Sequence, residues 1–219
     1  MTMSALGNLP TPQQARAVAT RTRILDATVA CLTAHGVGGA TTTVIARHAG
    51  VSQGALYKHF PAKHLLMGAA TEHLFAAMRE DFPEQLADAI RHSEEPAVSV
   101  GFDVLWQTYN DPRLKGVFEL YLAARTDPAL HDVLQPIVEQ HFDALLVIAR
   151  AVFPDGAKRN PRFDDAVLTI LLAMHGAALM ATVMPGNTSG PRLQKSLIER
   201  LAQDELGTPS LEVLSWKKP

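Results

Sequence analysis

What the sequence has little of narrows its chemistry first. A single cysteine, Cys31, rules out an intrachain disulfide and a zinc site built from several thiolates. A reducing, cytoplasmic setting is therefore expected. No Gly-x-Ser-x-Gly elbow, phosphate loop or dinucleotide fingerprint occurs. The nine histidines show neither HExxH nor H-x-x-E-H spacing, and His131 and His141 stand ten apart, so no metal and no cofactor is expected. The first 20 residues lack both an early basic segment and an apolar block, which argues against a signal peptide. Charged residues make up only 19% against 47% apolar, with a net charge of -2, which excludes the composition of a disordered chain. At 219 residues the chain is long enough to bury a substantial core.

Acid is scarce in one place. Up to Leu65 the bases Arg16, Arg21, Arg23, Arg47, Lys58 and Lys63 face Asp26 alone, a balance of +5, and the remainder carries -7. That asymmetry suggests that only the first part meets a polyanion, although a solvated basic face has the same charge.

No run of alternating apolar and polar residues is flanked by hairpin turns, and helical periodicity dominates, so an all-α protein is predicted. A first helix is expected over about 13–35, with Val18, Ile24, Leu25, Val29 and Leu32 inward and Gly36 as its stop. Short helices near 42–49 and 53–59 follow, then a longer one over 63–79 that ends where Asp81-Phe82-Pro83 interrupts the pattern. Further helices are expected at 97–110, 112–126, 128–153, 162–184 and 191–205, with turns at Asn110-Asp111-Pro112, Asp127-Pro128, Pro154-Asp155-Gly156 and Pro185-Gly186-Asn187. Residues 1–12 and 207–219 are expected to be flexible.

The informative stretch is TTTVIARHAGVSQGALYKHFPAK, Thr41 to Lys63. Thr41 suits an N-cap, Val44, Ile45 and Ala49 face inward, and Ala46 is small enough for a close crossing. Gly50 meets the need for positive φ in a tight turn, Val51 plugs the corner, Ser52 caps the next helix, and Leu56 and Phe60 return to the core. This is helix-turn-helix spacing, and it turns Gln53, Ala55, Tyr57, Lys58 and His59 outward, where a recognition helix meets the major groove.

From about Thr22 to Leu66, through ILDATVACLTAHG, IARHAGVSQGALYKHF and Lys63, the chain resembles the TetR family of bacterial transcriptional regulators. FELYLAARTDPAL, from Phe118, resembles a segment common in one branch of it. The resemblance implies an all-helical homodimer. A three-helix helix-turn-helix DNA-binding domain would span 1–62, and a helical ligand-binding and dimerisation domain 63–206. It further implies a repressor of a palindromic double-stranded DNA operator, released by a small-molecule effector. Carried over residue by residue, Gln53 would pair with adenine and Ala55 would pack on a thymine methyl. Tyr57, His59 and Lys63 would hold phosphates, with Thr42, Thr43, Ser52 and Lys58 as neighbouring contacts. The sequence departs from the family where Thr43 replaces a frequent basic residue, where His64-Leu65 replaces an acidic pair, and where Ala62 offers no capping hydroxyl. Tyr57 also reads as a partly buried aromatic, His59 as a cation at a helix end, and Lys58 as a solvated side chain.

In the second domain Phe102, Trp106 and Tyr109 share one helix face, Tyr121 and Arg125 share the next, and His175 sits inside the most apolar helix. Phe102, Trp106, Tyr109, Tyr121 and His175 are the expected ligand contacts; ordinary core is the competing reading, and Arg125 suits a helix-end role. The 19 residues from Ala166 to Met184 carry no charge, close to the length of a membrane span. Thr169, His175, Gly176 and Thr182, and the lack of an aromatic belt, favour a core helix covered on one side by another subunit. With a helix bearing Leu193, Leu197 and Leu201 it would form a four-helix dimer interface. The alternative is an all-α enzyme or small-molecule carrier using Asp103, Glu119, His141 or His175, for which the basic motif would have no purpose.

Overall fold

The computed structural model describes residues 11–184, 196, 197 and 200–207. Nine helices, and no strand, lie among them, so the chain is all-α, with an N-terminal helix-turn-helix domain and a helical C-terminal domain. They are α1 (Pro12–Gly39), α2 (Thr42–His48), α3 (Gln53–His59), α4 (Lys63–Arg91), α5 (Ala97–Tyr109), α6 (Pro112–Ala124), α7 (Pro128–Val152), α8 (Pro154–Arg159) and α9 (Phe163–Ala181). Helical residues 200–205 follow. Leu193 and the stretches 1–10, 185–195 and 208–219 lie outside the described residues.

Local chemistry accounts for most boundaries. Thr11 and Gln14 close a capping box at the start of α1, with Thr11 as its N-cap and Pro12 in its first turn. Gly36 interrupts α1 at φ 63°, ψ -177°, a conformation closed to side-chain-bearing residues. Asp111 caps α6 and Asp127 caps α7, each accepting from a first-turn N–H, and Arg125 forms the C-terminal cap of α6.

Three expectations give way to tertiary packing. Val18 is 64% exposed, because the first three turns of α1 run past the core and none of the described residues covers them. The helix expected to stop at 79 continues to Arg91 with Pro83 inside it. The missing Pro83 N–H forfeits one backbone bond, but Leu86, Ala87 and Ile90 beyond it pack with Val104 of α5 and Val152 of α7. Pro154-Asp155-Gly156 opens the short helix α8 instead of a simple turn, with Asp155 in its first turn and Lys158 and Arg159 in its last, both favourable to the helix dipole.

The core has two main parts. The first joins Ile24, Leu32, Ile45, Leu56 and Phe60 of the helix-turn-helix to Leu66 and Met67 of α4, and continues into Leu120 of α6 and Leu130 of α7. The second gathers Phe75, Phe102, Phe118, Ile170 and Met174 from α4, α5, α6 and α9. Helix α9 is long and apolar enough to cross a membrane by length and composition. Its face of Phe163, Val167, Ile170, Leu171, Met174 and Ala178 is nevertheless buried in protein, while Leu172, Leu179 and Met180 on the other side are exposed.

Candidate nucleic-acid interface and effector cavity

Helices α2 and α3 are each only seven residues long, too short to persist alone, and each is secured by a capping hydroxyl. Thr41 accepts from the Val44 N–H at 3.3 Å, and Ser52 accepts from the Ala55 N–H at 3.1 Å. Gly50, at φ 64°, turns the chain between them, and the Val51 N–H reaches back to the Ala46 carbonyl at 3.0 Å. Ile45 and Leu56 are fully buried beneath, which fixes the crossing of the two helices.

The outward side of α3 presents Gln53, Gly54, Tyr57 and Lys58, all exposed, with Ala55 and His59 half-buried along its flanks. Two side chains of α2 hold two of α3. The Gln53 Nε2 donates to the Thr43 hydroxyl, and the Tyr57 hydroxyl lies 3.3 Å from the Thr42 hydroxyl. Gln53 has a second N–H and its carbonyl oxygen to spare, which is what a bidentate pair with adenine requires. The hydroxyl at 43 thus orients the Gln53 amide. Ser52 serves its own helix as cap. Lys63, the first residue of α4, is exposed and donates from Nζ to the Val37 carbonyl at 3.2 Å. Ala62 makes no side-chain cap, as its missing hydroxyl implies.

One cation at this surface escaped the sequence reading. The Arg21 guanidinium carbon lies 4.6 Å from the centroid of the Phe60 ring, tying the exposed arm of α1 to the end of α3. The two residues are far apart in the chain, and no motif announces the contact.

The C-terminal domain contains a cavity of about 120 Å³ between the far half of α4 and helices α5, α7 and α9. Phe82, Leu86, Phe102, Leu105, Ile148 and Leu171 line it, and no charged side chain does. Of the five expected ligand residues, Phe102 alone is in this lining. Apolar wall residues repeat with the same period as solid core, so the sequence held no signal for the others.

Trp106, Tyr109, Tyr121 and His175 instead pack in the second core, where three of them form an aromatic cluster. The His175 ring is 4.5 Å from Tyr109, 5.2 Å from Phe118 and 5.7 Å from Phe142, and its Nδ1–H donates to the Leu171 carbonyl at 3.0 Å. Burial lowers its pKa, so the ring is neutral with Nε2 left as an acceptor. Nearby, His141 stacks on Phe75 at 3.8 Å and accepts at Nδ1 from Arg79 at 2.9 Å. Burial, then the Arg79 charge and the neighbouring His175 ring, depress its pKa to about 4. Burial also raises both tyrosine pKa values, so the two phenols stay protonated. The Tyr121 hydroxyl is buried without a hydrogen-bond partner among the described residues.

These features agree with comparisons to known proteins. The family model for bacterial regulatory proteins of the tetR family matches residues 24–70, which contain both short helices and Lys63. An uncharacterized HTH-type transcriptional regulator of Mycobacterium tuberculosis, Rv2912c, is 30% identical over 191 residues, covering 86% of this chain and 94% of that protein. Among solved structures, a TetR transcription regulator from Haloarcula marismortui superposes with a TM-score of 0.61 at 20% identity, covering 86% of this chain and 99% of that one. The multidrug binding protein EbrR complexed with ethidium superposes at 0.59 and 24% identity, covering 83% and 97%. With a capped helix-turn-helix and a relative matched along nearly its whole length, the chain belongs to the TetR family of DNA-binding bacterial transcriptional regulators.

Proposed function

We propose that the chain is a cytoplasmic repressor that binds a palindromic operator as a homodimer and is released by a small, uncharged, apolar or aromatic effector, with no catalytic role. The observation that carries this reading is the course of α4. It begins at Lys63 beside the helix-turn-helix and ends with Phe82, Leu86 and Ile90 in the cavity wall. One continuous helix therefore joins the two sites, and a ligand wedged at its far end tilts the reading head. A dry apolar cavity of about 150 Å³ is known to accept benzene, so the cavity suits a molecule of roughly that size. EbrR, a structural neighbour, binds ethidium and thereby supports effector binding in this fold.

In this reading Gln53 and Ala55 meet bases, and Thr42, Thr43, Ser52, Tyr57, Lys58, His59 and Lys63 form the surrounding contacts. The exposed apolar strip of Leu172, Leu179 and Met180 on α9, together with exposed Leu197, meets its symmetry mate. The test is selection of duplexes from a random pool, followed by titration with and without toluene or naphthalene. An enriched inverted repeat whose affinity falls with either compound supports the reading. Failure to enrich any duplex overturns it.

A further inference from the structure

One residue at the break in α1, Val37, is gripped through both its N–H and its C=O. The break at Gly36 lies immediately before Val37. The N–H donates to Glu119 Oε2 on α6 at 2.9 Å, 82 residues away in sequence. The carbonyl of the same residue accepts from Lys63 Nζ at 3.2 Å. A Cβ at Gly36 would lie 2.5 Å from that carboxylate oxygen, so glycine is what leaves the carboxylate its place.

Helix α6 is itself held against α1. One turn before Glu119, a Cβ added to Gly116 would lie 3.0 Å from the Leu32 Cβ and 3.2 Å from its carbonyl carbon. The two backbones are in near-direct contact there, and α6 cannot slide without carrying Glu119 with it. The opposite side of α6 points Val117 and Phe118 into the second core, where the Phe118 ring lies 5.2 Å from His175.

We propose that Glu119 is a positioning residue for operator binding: by fixing the backbone on either side of the Val37 Cα it sets the place of the Lys63 ammonium, and so makes α6 a second connection between the C-terminal core and the DNA-contacting end of α4. The role rests on the reading of Lys63 as a phosphate contact. Lysine has three donors. One directed at Val37 leaves two for phosphate oxygens, so the tie orders the side chain without consuming it. Glu119 and Lys63 are both exposed, so the gain lies in orientation rather than in fold stability. A shift of α6 that withdraws the carboxylate frees the Val37 backbone to turn and returns Lys63 to its many rotamers.

The experiment is a double-mutant cycle on the full chain, using a duplex that the wild type enriches from a random pool. Glu119→Ala is expected to weaken binding about five- to tenfold with little change in thermal midpoint. Glu119→Gln, which keeps an oxygen acceptor for the Val37 N–H, should stay within twofold of wild type. In a Lys63→Met background, Glu119→Ala should add less than twofold. Hydrogen exchange at the Val37 amide should speed up at least tenfold in Glu119→Ala and stay slow in Glu119→Gln. Losses that multiply in the double variant, or wild-type affinity in Glu119→Ala, overturn the role of Glu119 while leaving the repressor reading intact. If Lys63→Met binds every duplex as tightly as wild type, the phosphate role of Lys63 falls and this proposal falls with it.

Discussion

In the proposed operator contact, Gln53 is a side chain prepared before DNA arrives. Its amide is held by the Thr43 hydroxyl, so less rotamer freedom is lost on binding than for an untethered glutamine. Gln53→Ala is expected to cost about 1–3 kcal/mol at one base pair and little on unrelated duplexes, read by competition titration against single-site operator variants. Thr43→Val, which keeps the shape and removes the acceptor, should relax discrimination at that same base pair. Equal loss on all sequences for either variant would remove the pair from base recognition. A different residue reports on the core. His141 has a folded pKa near 4 against 6.5 unfolded, so the unfolded chain binds the proton first as pH falls. Its contribution is complete above pH 6.5 and lost between 6.5 and about 4, on the order of 2–3 kcal/mol from the linkage relation. Urea midpoints should fall across that window, and His141→Gln should flatten the decline.

At the scale of single elements, α4 and α6 each join the first core to the second. The far half of α4 exists because Leu86, Ala87 and Ile90 find partners in α5 and α7, which offsets the backbone bond lost at Pro83. Space at that end is what an effector would use. Leu105→Phe, which enlarges a cavity-lining side chain, is expected to leave operator affinity in place and weaken the response to toluene at least tenfold, measured by DNA titration. Helix α6 is constrained differently, by backbone contact at Gly116 rather than by a space to fill. Gly116→Val should destabilise the fold by about 1–3 kcal/mol or more, visible in urea melts, because the facing Leu32 backbone cannot retreat as a side chain can.

The whole molecule is electrostatically divided, with +5 on the first 65 residues and -7 on the rest. Duplex affinity should therefore fall steeply with salt, by roughly 0.9 in log–log slope for each phosphate neutralised, and the isolated acidic half has no reason to share that slope. The proposed dimer rests on the open side of α9. Leu172→Glu is expected to shift the chain from dimer to monomer in sedimentation at micromolar concentration, and to abolish tight operator binding, since two reading heads about 34 Å apart are needed for successive major grooves. A folded wild-type monomer at that concentration would overturn the dimer.

The helix-turn-helix was legible in the sequence because its determinants are local. The hydroxyls of Thr41 and Ser52 cap helices three residues ahead, Gly50 supplies a positive φ, and Ile45, Leu56 and Phe60 recur at helical spacing, so a short window contains the whole instruction. Membership of the family and the all-α fold follow from the same local signals. The course of α4 past Pro83, the position of the cavity among apolar residues that read as solid core, and the grip on Val37 were decided only in three dimensions. Each depends on groups brought together from distant parts of the chain, Glu119 and Val37 most of all. Periodicity and capping fix which face of a helix is apolar. They do not fix which other helix covers that face, how closely the two approach, or where the packing leaves a space.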